Sequence, residues 1–239
     1  MKSNKAIGRA VGVLFIAGMV VGVIGNILIQ GLLAGPDYLS TLTASSMSLA
    51  MGSMLLLMTV AGDTGHGVLM YPVLKRHNEG MAIGYLSFRI VNAGFLGVQV
   101  LLILAQIPLA SEFLKAAGPD TLYFKSLGTL LIQANLYAYH LGMIFVGLAG
   151  LMMCYMFYRV KLVPRFLAIW GLVGYATILC GSVLEVMGFN LHMIQTIPGG
   201  LWELFIGVWL IVKGFNSSST SDVPLENPGI QQVATSSSL

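Results

Sequence analysis

Four charged residues stand where an apolar chain should carry none. Asp63, Arg89, Glu185 and Glu203 fall inside long aliphatic runs, and His66 and Asn92 follow Asp63 and Arg89 by three positions each. A charge in hydrocarbon costs at least about 2.5 to 3.5 kcal/mol on insertion scales, so such residues turn inward and find partners. Residues three apart share a helix face, which sets an imidazole beside Asp63 and a carboxamide beside Arg89. At about 1.5 Å of rise per residue, Asp63 lies roughly 18 Å above Lys75, Glu203 roughly 15 Å above Lys213 and Arg89 roughly 15 Å above Glu79. Three charges from three helices are therefore expected at one depth, with His66 one turn nearer the basic flank. Glu185, roughly 30 Å above Arg165, is expected at the outer surface, where water hydrates it cheaply.

Two kinds of chemistry fit the Asp63, His66, Arg89 and Glu203 group. One is a buried salt bridge of Arg89 with Asp63 or with Glu203, fixing helix register. The other is a proton or ligand site, because two carboxyl groups facing one guanidinium leave one acid without a counter-charge, and His66 is a second titratable group. Both stay open at this point. Gln133, Tyr137 and His140 share an outer-half face of another helix, at a depth His192 can also reach. They would line an outward vestibule or bond neighbouring backbones. A bis-histidine haem needs two imidazoles at one depth, but His140 lies roughly 28 Å above Arg159 and His66 near 13 Å. No His-Glu-x-x-His, Gly-x-Ser-x-Gly or phosphate-cradling loop is present, so no metal site, cofactor or catalytic residue is assigned. Cys154 and Cys180 differ in depth and read as two buried free thiols.

The elements that must position these residues follow from composition. Of 239 residues 56% are hydrophobic and 9% charged, against about 25% charged in an ordinary soluble domain. Such a chain cannot cover a soluble globule, and a lipid bilayer is the expected partner. A spanning helix needs about 20 apolar residues. Six stretches qualify, at 11–33, 49–74, 83–109, 130–158, 166–187 and 191–212, which gives an all-α fold: a polytopic transmembrane bundle of six helices. Nine basic residues, among them Arg9, Lys75, Arg159 and Lys213, flank one side, against Lys115 and Lys125 on the other. The positive-inside rule then places both termini in the cytoplasm of a cell (inner) membrane. The net charge of +3 is dispersed among helix ends, so no nucleic acid is implied. Residues 1–33 exceed a signal peptide's apolar core and read as a retained first helix. Residues 1–215 are expected to form the transmembrane domain. From 216 to 239 the Ser-rich, Pro-interrupted composition reads as a disordered cytoplasmic tail. Residues 110–128 are expected to form an outer amphipathic cap.

Backbone signals fall beside the charges. Gly62, Gly65 and Gly67 surround Asp63 and His66, each costing about 1 kcal/mol of helix propensity relative to Ala, so a bend or local unwinding is expected there. Pro198-Gly199-Gly200 before Glu203 predicts a kinked or broken sixth helix; broken helices at mid-membrane expose backbone groups in secondary transporters. Gly18, Gly22, Asn26 and Gln30 recur every four residues and read as a packing stripe.

Three stretches carry a family resemblance: Tyr71-Pro72-Val73-Leu74 with Gly84-Tyr85-Leu86-Ser87-Phe88-Arg89; Val163-Pro164-Arg165 with Trp170-Gly171; and Pro198-Gly199-Gly200-Leu201-Trp202-Glu203 running into Trp209-Leu210-Ile211-Val212-Lys213-Gly214-Phe215. Together they resemble the bacterial family called domain of unknown function 4386 (DUF4386), over nearly the whole chain to Phe215. The resemblance implies a six-helix bacterial inner-membrane protein and carries no reaction. In the family pattern an acidic residue commonly stands three positions after Arg89, where this chain has Asn92, so Arg89 depends more on Asp63 or Glu203. Transport of a small solute or ion, coupled to protons at the Asp63 group, is the leading function. A non-catalytic membrane partner and an intramembrane metal-dependent enzyme are the alternatives.

Overall fold

A computed structural model describes residues 2–35, 37–116 and 120–216; the tail expected from 217 onward lies outside the described residues. Eight α-helices run through it: α1 Lys2–Leu33, α2 Tyr38–Leu42, α3 Ser46–Lys75, α4 Glu79–Leu104, α5 Gln106–Lys115, α6 Asp120–Val160, α7 Arg165–Val186 and α8 Ile197–Val212, the last preceded by a short 3-10 turn, Ile194–Thr196. Six segments are long and apolar enough to cross a membrane, with α4 and α5 counted together. The protein is an all-α membrane protein.

Local chemistry sets the boundaries. Asn78 caps α4, its side-chain oxygen accepting the Met81 N–H at 2.9 Å, and Glu79 in the first turn meets Lys75 of α3 at 2.9 Å. Apolar residues cover the helices nearly all round, as lipid requires. Close approach is therefore made with small residues rather than with an apolar stripe. Gly12 of α1 lies against α8, where a methyl group would stand 2.6 Å from the Gly207 carbonyl oxygen. At Gly150 of α6 a methyl group would collide with the Tyr175 ring of α7.

The six spanning helices pack in a closed ring: α1 on α3, α3 on α4, α4 on α6, α6 on α7, α7 on α8, and α8 back on α1. Interior side chains thus face a shared axis. One half of that axis is packed solid by Val11, Met70, Leu74, Tyr85, Met153, Phe157, Trp202 and Leu210. This is the half that holds Arg9, Lys75, Arg159 and Lys213, called here the basic end. Asn216 is fastened to it, its amide N–H donating to Leu162 O at 2.9 Å and its side chain to Lys161 O at 2.8 Å. At the opposite end α2 and α5 pack off-axis with α1, α3 and α4, where the Tyr38 hydroxyl donates to Gln106 Oε1 at 2.9 Å.

Several sequence expectations are corrected. The Gly62–Gly67 segment is not unwound, because α3 is helical from Ser46 to Lys75. Unpaired backbone groups cost several kcal/mol each in hydrocarbon, more than three glycines lose in propensity. Pro198 does not break a helix at mid-span; it occupies the first turn of α8, where its missing N–H is no loss. The consequence is a short helix of 16 residues, about 24 Å, beside an α1 of 32 residues, about 48 Å. The outer cap is shorter than expected, since α6 already begins at Asp120. Cys154 is buried, but Cys180 is exposed on the outside of the bundle rather than buried.

Candidate functional site

Asp63 and His66 project from α3, Arg89 and Asn92 from α4, and Glu203 from α8. Asp63, His66, Arg89 and Glu203 all line one central cavity of about 270 Å³, just above the packed basic half. Arg89 Nη2 donates to Asp63 Oδ1 at 2.9 Å, and Asn92 Nδ2 donates to Asp63 Oδ2 at 3.3 Å. The pair therefore joins α3 to α4, and Arg89 is bonded to Asp63 rather than to Glu203. Gly67 permits it, because a methyl group there would press on the Arg89 stem at 3.3 Å.

His66 is enclosed. Its Nδ1 is 2.6 Å from the Tyr85 hydroxyl and 3.5 Å from Arg89 Nη2, and the Phe15 ring lies 4.4 Å from the imidazole. A guanidinium can only donate, so the Arg89 contact matches the tautomer with its lone pair on Nδ1 and its proton on Nε2. That Nε2 is buried without a partner, as are Arg89 Nε and Asn92 Oδ1. Unpaired buried polar atoms cost about 1–3 kcal/mol each.

Glu203 is held differently. Its Oε1 accepts the Tyr175 hydroxyl at 2.8 Å. Trp202, whose indole N–H donates to Leu167 O at 2.6 Å, wedges between Phe15 and Tyr175 and fixes this turn of α8. The cluster thus contains a neutralised pair, Asp63 with Arg89, and one further carboxyl group bonded to a hydroxyl.

The cavity does not end there. A second space of about 520 Å³ adjoins it at Val23, Asn26 and Tyr139 and runs away from the basic end between α1, α4, α6 and the 3-10 turn. Its lining is aliphatic with neutral polar groups, Asn26, Gln30, Gln99 and Asn135 among them. The packing-stripe expectation holds only in part: Gly22 packs on α3, where a methyl group would meet the Thr59 side chain at 3.5 Å, but Gly18, Gly22, Asn26 and Gln30 also border the cavities, no atom lies within 4 Å of where a Gly18 methyl would stand, and Gly12 and Gly25 make closer helix contacts.

Gln133, Tyr137 and His140 come together in a separate recess of about 340 Å³ with Glu185. Glu185 is not an idle surface charge. Its side chain is 13% exposed, Oε1 accepts the Leu191 N–H at 2.9 Å and Oε2 lies 3.9 Å from His140 Nε2. Depth counted along one helix missed it because the chain folds back over the end of α7. His192 is exposed, with φ 51°, and does not join this recess. Among the described residues no three His, Cys, Asp or Glu side chains come together as a metal would require.

The sequence reading missed Tyr85, Tyr175 and Tyr139. Tyr85 was within reach, four residues before Arg89 and so on its face. Tyr175 carries no such signal on its own helix; only Gly150 opposite, which makes room for its ring, betrays it.

Residues 10–214 match the family described as domain of unknown function DUF4386. No curated protein and no solved structure matches the chain.

Proposed function

Since the chain belongs to the DUF4386 family, a description that carries no reaction, we propose its function from the cavity: it binds a small solute at the centre of a bilayer-embedded ring and moves it with proton exchange at Glu203. The observation that carries this is a cavity at Glu203 and the Asp63–Arg89 pair, with a second cavity bordering it at Val23, Asn26 and Tyr139 toward one end while apolar side chains fill the other. A salt bridge alone would need no cavity. A carboxyl group outside that bridge, bonded to a phenol and bordering the cavity, can hold either a proton or a cation. The titratable groups around it come from four helices: Asp63 and His66 on α3, Arg89 and Tyr85 on α4, Tyr139 and Cys154 on α6, and Tyr175 on α7. With both termini cytoplasmic in a bacterial cell membrane, the cavity opens outward and the packed basic half is the inner gate. Asp63 and Arg89 then fix the site's register while Glu203 changes charge.

The test uses proteoliposomes holding a lumenal pH dye and challenged with gradients of small cations, anions and neutral solutes. A solute-dependent pH change that Glu203→Gln abolishes is the expected result. Identical proton movement in wild type and E203Q, or none with any solute class, overturns the proposal. In that case the Asp63–Arg89 pair remains as a purely structural tie between α3 and α4.

A further inference from the structure

The central cavity has a side opening. Gly12 and Ile16 of α1 pack on Gly207 of α8, and Val23, Ile27 and Gln30 continue the same α1 face at spacings of seven, four and three residues. Near the basic end that face is covered by α8. Farther along α8 has ended, and Val23 and Ile27 are 52% and 65% exposed while lining the upper cavity. On the other edge Met193 and, in the 3-10 turn that follows it, Thr196 border the space. At the sill, Gly200 in the first turns of α8 faces open space, with no atom within 4 Å of where a methyl group on it would stand. An opening at this level of a membrane-spanning bundle meets acyl chains, not water.

The chemistry inside is graded. Next to the opening the lining is aliphatic, relieved by neutral amides; Asn135 is 9% exposed and its Oδ1 has no partner. At the bottom two carboxyl groups meet one guanidinium, and Glu203 is the one outside the ion pair. His66 Nε2, also unpartnered, belongs to a ring that lines the same floor. From Val23 to Leu33 the upper space follows α1 for about 15 Å. Its volume of about 520 Å³ lies in the range of ligand pockets, about 300–1,000 Å³.

We propose that the ligand is an amphipathic organic cation that enters from the bilayer between α1 and the start of α8, seating its ammonium group at Glu203 and its apolar chain along Val23, Ile27 and Ile103. This names the ligand class of the site proposed above and rests on that cavity being a binding site. An anionic head would meet the uncompensated carboxyl group, and a small hydrophilic solute would leave the aliphatic upper wall without a role.

The probe is decyltrimethylammonium, added to the full-length protein in phosphatidylcholine nanodiscs, with melting temperature as readout. Tetramethylammonium, decanoate and decanol separate head from chain. Expected is a saturable stabilisation by decyltrimethylammonium at a concentration at least about tenfold below that of tetramethylammonium, with no shift from decanoate. Glu203→Gln is expected to raise that concentration about tenfold. The ligand series on the unaltered chain decides the point even where that variant does not fold. Gly200→Leu fills open space at the start of α8 and is expected to leave the melting temperature of the ligand-free protein unchanged while slowing or abolishing the decyltrimethylammonium response. Equal response to tetramethylammonium, or an equal response to decanoate, overturns the amphipathic cation. An unaltered response in the Gly200→Leu variant overturns the side entry. Proton movement dependent on Glu203 without any alkylammonium response sinks this inference alone, whereas an alkylammonium response without proton movement sinks the transport reading alone.

Discussion

Removing Asp63 is expected to be worse for the fold than removing Arg89, although the two form one ion pair. The Arg89 side chain is 7% exposed and Asp63 is 28% exposed, so the guanidinium is the more thoroughly desolvated partner. Asp63→Asn removes the anion bonded to it and leaves only the Glu203 carboxyl group, not bonded to Arg89, in the same cavity, close to the circumstance in which breaking a buried pair costs about 3–5 kcal/mol. Arg89→Met keeps an aliphatic stem over Gly67 and leaves Asp63 bonded by the Asn92 amide and bordering the cavity, a loss of about 1–3 kcal/mol. In the double variant neither charge is stranded, so the two losses should not add, with a coupling of at least about 1.5 kcal/mol. Reversible unfolding in mixed micelles, by denaturing-detergent titration or steric trapping, measures all four corners of the cycle. Losses that add within about 0.5 kcal/mol would show the pair to be energetically idle. A larger loss in R89M than in D63N would refute the desolvation argument itself.

Two further outcomes follow from packing and from titration. Gly150→Val should prevent stable folding or cost about 3 kcal/mol or more, because any Cβ there collides with the Tyr175 ring, whereas Gly18→Ala should melt within a few degrees of the wild type; equal stabilities of the two variants would contradict the helix contacts. His77, in the connection between α3 and α4, is held below the ordinary histidine range by burial and then by the Arg76 guanidinium. The unfolded chain therefore takes up this proton at higher pH than the folded one. Stability from this group is complete above about pH 6.5 and is lost as the pH falls through that value. The difference in melting temperature between wild type and His77→Gln should change between about pH 8 and pH 5, moving against the wild type in acid. A difference that is flat, or of opposite sign, would place His77 outside the coupling.

The number of spanning segments was legible because lipid imposes a length and a composition on each helix, and Asp63, Arg89 and Glu203 stood out because lipid rejects them. The depth count placed them level, and they border one cavity. Which carboxylate takes Arg89 was not legible. Both lie at the right depth, and the choice depends on how far around the ring each helix sits. α3 is the neighbour of α4, and α8 is not. The backbone expectations failed for a different reason. Propensities measured in water price the glycines near Asp63 as helix breakers, but in hydrocarbon an open backbone group is dearer than a flexible residue, so α3 stays intact. Tyr175 was invisible because a phenol is apolar for most of its length and polar only at its tip.

The glycine stripe of α1 shows where such reasoning needs the neighbour's length. Gly12 and Gly18 are the same residue type on one helix, six positions apart, yet the first is a backbone contact and the second an opening. Six positions turn them about 120° apart around α1, so Gly12 faces α8 while Gly18 sits on the side that Leu14 and Gly22 turn toward α3. Neighbour length matters on the α8 side: with Pro198 in its first turn, α8 begins at Ile197 and leaves Val23 and Ile27 of α1 uncovered. The same start puts Glu203 within two turns of the helix terminus, at the floor of the space that the missing length leaves open. The start of α8 at Ile197 thus leaves α1 uncovered above the carboxyl group that lies outside the ion pair. Any change that let α8 extend toward its N-terminus would be expected to close the opening and bury Glu203 together, which ties access and charge to one structural element.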